Sequence, residues 1–222
     1  MDVLKRWSEA QPGGPGRPFV TYYDVSTGER TELSGVTTSN WVAKTANLLV
    51  DELDAEPGIR VQLALPTHWL RPVLMLATWA VGGTIVEAGA DVFVGGPDEP
   101  TSDARHRLAS ALLPFGAPFP AAPDGFLDLG IALPGQPDAY FAMQDADPPD
   151  PAVEVAAMRL TYAELSAPAG SAERVLLTPG TLERDITATL AAAHGGGSMV
   201  LVSHATTGDL ERLAEQERAR FA

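Results

Sequence analysis

The run His194-Gly195-Gly196-Gly197 and the serine after it come closest to a catalytic arrangement in this chain. A His-Gly-Gly-Gly run forms the oxyanion loop of some α/β-hydrolases, and Ser198 would then be the candidate nucleophile. A nucleophile elbow requires Gly-x-Ser-x-Gly, but the second residue after Ser198 is Val200, so the last glycine is missing. We therefore expect the glycines to end a helix at His194 and to let the chain turn into a strand.

Metal and acid–base chemistry have no recognisable pattern in the sequence. The four histidines lack the spacing typical of a metal site: His68, His106, His194 and His204. Carboxylate pairs such as Asp124 and Asp128 lie in a Pro/Gly-rich segment, without a partner acid or base in a visible frame. The glycine run at 13–16 is not followed by the helix of a dinucleotide-binding loop and is interpreted as a linker. We assign no catalytic, cofactor-binding or metal-binding residue and expect no cofactor.

The net charge of the chain limits the kinds of molecule that it can bind. The 222 residues include 15 basic and 29 acidic side chains, which give a net charge of −14. Phosphate groups are bound by clustered Lys and Arg, so this balance argues against nucleic acid and anionic membrane surfaces. The absence of cysteine excludes disulfides and thiolate chemistry, and no stretch resembles a signal peptide or a membrane span. We expect a cytoplasmic protein. The scarcity of lysine beside frequent Arg, Ala, Gly and Pro suggests a GC-rich bacterial genome.

Residues 1–94 carry the signals of a hairpin followed by a strand–helix–strand unit. Ser26-Thr27-Gly28-Glu29 separates two short strands, which predicts a β-hairpin with glycine at the turn. Ser34 can cap the next helix, which runs to about Leu53. The other predicted elements are a helix over Met1–Ala10, a linker over Gln11–Arg17, strand Arg60–Leu65, an apolar helix from His68 to about Val81 capped by Thr67, and strands Thr84–Val86 and Val92–Val94.

Residues 95–157 differ in character from the rest of the chain. A predicted polar helix over Asp103–Leu112 leads into an irregular stretch rich in Pro, Gly and Asp. The aromatic residues of this stretch suggest that it packs against another part of the protein. They are Phe115, Phe119, Phe126, Tyr140 and Phe141. The regular pattern resumes in residues 158–222. The elements predicted there are strand Val175–Leu177, helix Leu182 to about Ala193 capped by Thr181, strand Met199–Val202 and helix Gly208–Phe221.

The order of these elements defines the fold class. Strand, helix and strand in succession imply right-handed crossovers and a parallel sheet. We predict a single α/β domain over residues 1–222, with a mostly parallel sheet, helices on both faces and an N-terminal β-hairpin. Residues 1–94 form the hairpin and βαβ frame of this domain, 95–157 an irregular insertion, and 158–222 a second α/β unit.

Several segments resemble the N-terminal subdomain of the adenylate-forming superfamily, which includes acyl-CoA synthetases, nonribosomal peptide adenylation domains and luciferases. The segments are TYYDVSTGERTELS, ANLLVDEL, PGIRVQLALP, LATWAVGGTIVEAG, MRLTYAEL and RVLLTPGTLERDITATLAAAHGGGSMVLV. They occur in the family's order and cover about half of the chain. Thr207-Gly208-Asp209 also matches the three residues with which the family holds ribose, but Thr207 or Asp209 as a helix N-cap explains this group fully.

The resemblance also implies parts that this sequence does not contain. In the family a Ser/Thr/Gly-rich loop ending in Pro-Lys-Gly would precede Arg159, and its N–H groups and lysine hold the phosphates of ATP. This chain has the proline- and carboxylate-rich stretch Asp145–Glu154 there, and its only lysines are Lys5 and Lys44. The family's adenine and magnesium motif and its C-terminal domain with a catalytic lysine have no counterpart in the sequence.

Three hypotheses follow for function. The first is a truncated, non-catalytic relative that acts as a binding or assembly protein for a protein partner or a small acyl or nucleotide-like ligand. The second is one half of a split adenylate-forming ligase that another chain completes. The third is a homodimeric interaction module that pairs through a sheet edge or an uncovered apolar face.

Overall fold

The computed structural model describes Gly14 and residues 16–98, 102–166 and 170–222. The chain divides into two compact units. Unit 1 comprises Asn40–Leu65 and Val73–Ala167, and unit 2 comprises the residues up to Ser39, Pro66–Pro72 and Pro168–Ala222. The helix predicted over Met1–Ala10 and most of the linker after it lie outside the described residues. The single domain over 1–222 stays a prediction.

Twelve strands are described, in two sheets. In chain order they are β1 Pro18–Asp24, β2 Glu29–Ser34, β3 Arg60–Ala64, β4 Thr84–Val86, β5 Val92–Gly95, β6 His106–Ala109, β7 Leu127–Asp128, β8 Pro151–Val155, β9 Met158–Thr161, β10 Arg174–Leu177, β11 Ser198–Ser203 and β12 Arg220–Phe221.

Each sheet is mostly parallel and has one antiparallel strand at an edge. The sheet of unit 2 has the order β12-β10-β11-β1-β2, and only the pairing of β1 with β2 is antiparallel. The sheet of unit 1 has the order β7-β6-β5-β3-β4-β8-β9, and only the pairing of β8 with β9 is antiparallel. The predicted mostly parallel α/β class and the N-terminal hairpin are confirmed.

Six α-helices accompany the described strands: α1 Gly35–Asn47, α2 Leu70–Ala80, α3 Leu129–Ala132, α4 Tyr162–Leu165, α5 Leu182–Gly195 and α6 Thr207–Glu217. Helix α1 continues as a π-helix over Leu48–Glu52, and residues 114–116 form a short 3₁₀ turn. None of these helices has the length and apolar character that crossing a membrane would require.

Apolar residues at helical and strand spacing fill the two cores. In unit 2, Leu176, Val200 and Val202 pack with Leu213 of α6. In unit 1, Val73, Met75 and Ala77 of α2 are fully buried, which confirms that this helix is apolar on more than one side.

Local capping chemistry was predicted correctly at two helices and wrongly at a third. Ser34 Oγ accepts from the N–H of Thr37 at 3.1 Å, and Thr181 accepts from the N–H of Arg184 at the start of α5. Thr67, the predicted cap of α2, instead donates to Asp185. The ring Nδ1 of His68 accepts from the N–H of Leu70, so this helix begins two residues later than predicted.

The predicted helix over Asp103–Leu112 is wrong. The segment contains strand β6, which pairs in parallel with β5 and with β7. Leu108 and Ala109 are buried in the sheet, and the guanidinium of Arg107 lies over the ring of Phe126 at 5.4 Å. Partners distant in sequence therefore decide the conformation here. Residues 95–157 also contain β7, α3 and β8, so this segment has more regular structure than its breakers indicate.

The last predicted helix is too long. Helix α6 ends at Glu217, and Arg218 follows in the left-handed conformation with φ +50°. The chain then turns back to the sheet, where Arg220 and Phe221 form β12 beside β10.

Candidate functional site

The turn between β8 and β9 lies just before Arg159, where the resemblance to the adenylate-forming superfamily implies a phosphate-binding loop. Val155 pairs with Met158, so only Ala156 and Ala157 connect the two strands. Ala156 has φ +44°, and its N–H donates to Glu87 Oε2 at 3.0 Å. Arg159 donates to the carbonyls of Ala156 and Met158, both at 2.8 Å. Polar groups of the turn are therefore already bonded to Glu87 and Arg159.

Neighbouring side chains of unit 1 hold this hairpin in place. Trp79 Nε1 donates to the carbonyl of Ala152 at 3.1 Å, and Thr84 Oγ1 donates to the carbonyl of Pro151 at 2.7 Å. The hydroxyl of Tyr162, directly after β9, donates to the carbonyl of Gly83 at 2.8 Å. Burial raises the pKa of this hydroxyl well above its ordinary value. These bonds fix β8 and α4 against the C-terminal end of α2.

A cavity of about 370 Å³ lies beside the hairpin, in unit 1. Trp79, Pro148 and Tyr162 contribute to its wall, and Asp145 is the one charged residue among the described residues that line it. A carboxylate in the wall of a cavity repels phosphate groups. The cavity wall therefore gives no support to a nucleotide phosphate site.

A second polar cluster lies at the carboxyl ends of β1 and β11, in unit 2. The hydroxyls of Tyr22 and Ser203 are 2.7 Å apart, and burial raises the pKa of Tyr22 to about 12. Asp24 contacts the ring of His204 at 3.1 Å. Burial alone would raise the pKa of Asp24, but hydrogen bonds from Ser26 and then the contact with His204 lower it below its ordinary value. The carboxyl edge of a parallel sheet is a common place for ligands. Ser203 has only Tyr22 and a backbone carbonyl as hydrogen-bond partners, so it has no general base to activate it.

His68 lies beneath this cluster, with its ring 4.5 Å from that of Tyr22. Its Nδ1 accepts from a backbone N–H, while its buried Nε2 has no hydrogen-bond partner. Burial lowers the pKa of His68 to about 3, so the ring is neutral at physiological pH. A neutral, enclosed imidazole is a packing residue here.

The most deeply buried ion pair of unit 2 is also structural. Arg71 Nη1 and Asp185 Oδ2 are 2.5 Å apart, and both side chains are less than a tenth exposed. Arg184 contacts the other oxygen of Asp185 at 3.0 Å. Two arginines and Thr67 thus satisfy one carboxylate at the start of α5, which leaves it no free oxygen to act on a ligand.

The glycine run at residues 194–197 has the structural role that was predicted. Helix α5 ends at Gly195, and Gly196 forms its left-handed C-cap with φ +75°. Ser198 lies in β11 and accepts from Arg174 Nη1 at 3.0 Å. A guanidinium cannot remove a proton from serine, so this contact gives no support to hydrolase chemistry.

The other motifs have structural roles with one correction. Thr206, and not Thr207, is the N-cap of α6, and Asp209 completes the capping box. Asp128 caps α3 and accepts from the N–H of Phe119, so it does not pair with Asp124 in acid–base chemistry. The described residues hold no group of three His, Asp or Glu side chains that could bind a metal ion.

Solved structures with this fold are enzymes of the adenylate-forming class. An acyl-CoA synthetase from Brucella canis matches 99% of this chain and 46% of its own, with a TM-score of 0.78 and 14% identity. Acetoacetyl-CoA synthetase from Streptomyces lividans matches 99% of this chain and 41% of its own, with a TM-score of 0.74 and 18% identity. The N-terminal domain of FACL13 from Mycobacterium tuberculosis matches 99% of this chain and 61% of its own, with a TM-score of 0.74 and 14% identity. The chain thus has the fold of the N-terminal part of these enzymes and spans about half the length of the two synthetases.

Sequence similarity places the chain more narrowly. No family model matches it. A protein of Mycobacterium tuberculosis named TIGR03089 family protein is 34% identical over 234 residues, which cover 97% of this chain and 94% of that protein. The chain belongs to the same family as this mycobacterial protein.

Proposed function

We propose that the chain is a non-catalytic member of the adenylate-forming fold that acts as a binding or assembly protein. The observation that carries this proposal is the two-residue turn between β8 and β9. Transfer of an adenylyl group needs dense N–H donors and positive charge around the phosphates of ATP. A turn of two alanines, with one N–H bonded to Glu87, supplies neither of them.

The charges around the turn support the same conclusion. Residues 108–158 contain no Lys or Arg, and the cavity next to the hairpin carries the carboxylate of Asp145. Arg159 is the nearest cation along the chain, and it donates to two backbone carbonyls of the turn. Phosphate bound here would lie among carboxylates. The remaining use of such a scaffold is in contacts with other molecules, of which a protein partner fits the acidic surface best.

The closed turn also counts against a split ligase. A second chain that supplied the phosphate loop would have to insert it where β8 and β9 already pair and where Trp79, Thr84 and Tyr162 fix the backbone. The expected cytoplasmic location stays a prediction. The mycobacterial relative supports the bacterial origin inferred from composition.

A thermal-shift series tests the proposal with Mg-ATP, AMP, coenzyme A and a non-hydrolysable acyl-adenylate mimic. We expect no change in melting temperature with any of them. A ligand at about a hundred times its dissociation constant would add about 2.7 kcal/mol, which is a rise on the order of 5–10 °C for a chain of this size. A purified acyl-CoA synthetase serves as the positive control. A rise of this size with Mg-ATP or with the mimic would contradict the proposal and favour the split ligase.

A further inference from the structure

Two side chains of α1 hold a loop that is about ninety residues further along the chain. Lys44 Nζ donates to the carbonyls of Pro134 and Gln136 at 3.2 and 2.5 Å and pairs with Asp138 at 3.1 Å. Asn47 Nδ2 donates to the carbonyls of Pro137 and Ala139, both at 3.0 Å. Four backbone carbonyls within six residues are thus bound by only two side chains. The loop over 134–139 has a defined conformation although it forms no regular element.

The π-helix that continues α1 adds a further contact. Gln136 Nε2 donates to Glu52 Oε1 at 2.5 Å. Tyr140, the next residue after the clamped loop, is half-buried, and burial raises the pKa of its hydroxyl. π-Helical turns occur often at functional sites. Here the π-helix provides a carboxylate at the position where the loop needs an acceptor.

The residues that follow the clamp point two large apolar side chains into solvent. Phe141 is 83% exposed and Met143 is 96% exposed. Large apolar side chains left in water give up the favourable free energy that burial would provide. Because the preceding loop is already ordered, a partner that covers them loses less conformational entropy on binding than it would with a mobile segment.

The sequence beside these apolar side chains is acidic. Asp138 pairs with Lys44. Asp145, Asp147 and Asp150 also lie within ten residues of Phe141, and the sequence from 108 to 158 contains no basic residue. The complementary surface is therefore apolar and edged by Lys or Arg. A second copy of this chain is a poor occupant, because it carries the same acidic segment and a net charge of −14. Nucleic acid and anionic membranes are excluded by the same sign of charge.

We propose that Tyr140–Asp147, which directly follows the loop held by Lys44 and Asn47, is a docking surface for a protein partner that presents an apolar surface edged by basic residues. The proposal deepens the proposed binding function and rests on it. Phe141 and Met143 are the anchors, the carboxylates steer the partner and set its orientation, and the clamp fixes the chain directly before the anchors.

The test uses the full chain, labelled with ¹⁵N, and an 18-residue amphipathic helical peptide of Leu and Lys as the probe. A peptide of the same pattern with Glu in place of Lys, and a scrambled Leu/Lys peptide, are the matched controls. We expect backbone shift changes to cluster at residues 138–150 and at Lys44 and Asn47. We expect binding of the first peptide to exceed that of either control by at least tenfold, and to weaken as salt rises.

Three variants separate anchoring, charge and clamping. The double variant F141S/M143S should weaken binding of the Leu/Lys peptide at least tenfold. Phe115→Ser removes an equally exposed aromatic side chain, at 85%, and should change affinity less than twofold. Lys44→Met keeps the aliphatic stem but removes the donor, and should weaken binding severalfold.

The proposal would be overturned by backbone shift changes that spread over all acidic residues of the chain. It would also be overturned if F141S/M143S and F115S lost equal affinity for the Leu/Lys peptide, or if this peptide did not bind. These outcomes leave the non-catalytic reading intact, since that reading fails only if a nucleotide or acyl-adenylate binds.

Discussion

Each of the two sheets in the described part of the chain ends in an antiparallel hairpin at one edge, and the two hairpins are stabilised by different means. Between β1 and β2 the turn is local: Asp24 accepts from the N–H groups of Ser26 and Thr27, and Gly28 supplies φ +79°. Between β8 and β9 the turn has no glycine, and Ala156 adopts φ +44°. The first turn follows from the residues within it, and the second depends on residues elsewhere that hold its strands.

This difference bears on function. The β1–β2 turn is an ordinary connection that any member of the fold could use. The β8–β9 turn lies where the family resemblance implies a phosphate-binding loop. Trp79 and Thr84 donate to the carbonyls of Ala152 and Pro151 in β8, and Tyr162, directly after β9, donates to the carbonyl of Gly83. Only two residues connect β8 and β9. This short connection is the observation on which the proposed non-catalytic function rests.

Acid should weaken the unit that carries the first hairpin, because His68 packs against Tyr22 of β1. The pKa of His68 is about 3 in the folded chain, below its ordinary value of 6.5. The unfolded chain therefore takes up the proton first, so stability is complete above pH 6.5 and is lost as the pH falls towards 3. At pH 4 the loss is about 3 kcal/mol.

Urea unfolding at pH 7 and pH 4 measures this effect, with His68→Asn as the control. The amide oxygen of asparagine can still accept from the N–H of Leu70 but does not titrate in this range. We expect the wild-type chain to lose about 3 kcal/mol more than the variant between the two pH values. Equal losses would show that His68 does not couple folding to pH.

Removing one anchoring side chain from each hairpin should lower the free energy of unfolding more at the β8–β9 hairpin than at the β1–β2 hairpin. Trp79→Phe leaves the buried carbonyl of Ala152 without its donor and opens space in the core, which should cost about 2 kcal/mol. Tyr22→Phe breaks one bond to Ser203, whose hydroxyl keeps a contact with the carbonyl of Tyr23, and should cost about 1 kcal/mol. Chemical denaturation measures both, and a larger loss for Tyr22→Phe would reverse the comparison.

Single substitutions in the two turns should change stability in opposite directions, with Gly28→Ala destabilising the chain and Ala156→Gly stabilising it. Gly28→Ala places a side chain at φ +79° with no atom within 4 Å of the new Cβ, so only backbone strain applies and the cost is about 1 kcal/mol. Ala156→Gly relieves similar strain but increases the freedom of the unfolded chain, for a net gain of about 0.5 kcal/mol. Thermal unfolding measures the two variants side by side. A loss of stability in Ala156→Gly would mean that the turn is not strained.

The elements that local chemistry determines were predictable from the sequence. Ser34 and Thr181 cap their helices, Gly28 turns the first hairpin, and the apolar residues of α2 are buried. Each of these signals lies within a few residues of its effect. The same is true of the family resemblance, which depends on runs of apolar and glycine residues.

The missed features have partners far away in sequence. Strand β6 was predicted as a helix because only its pairing with β5 and β7 makes it a strand. The two-residue turn after Val155 lacks any glycine or asparagine signal, since bonds from α2, β4 and α4 determine it. The clamp from Lys44 and Asn47 joins residues about ninety positions apart. Spacing along the chain cannot reveal contacts of this kind.

The central claim is that the chain cannot form an adenylate, and the ATP–pyrophosphate exchange assay tests it most directly. The purified full-length chain is assayed with Mg-ATP and a panel of short-, medium- and long-chain fatty acids and aromatic acids, beside an acyl-CoA synthetase as the positive control. The two-residue turn predicts exchange no higher than that of the heat-inactivated chain for every acid. Saturable exchange that depends on both ATP and one of the acids would contradict the account.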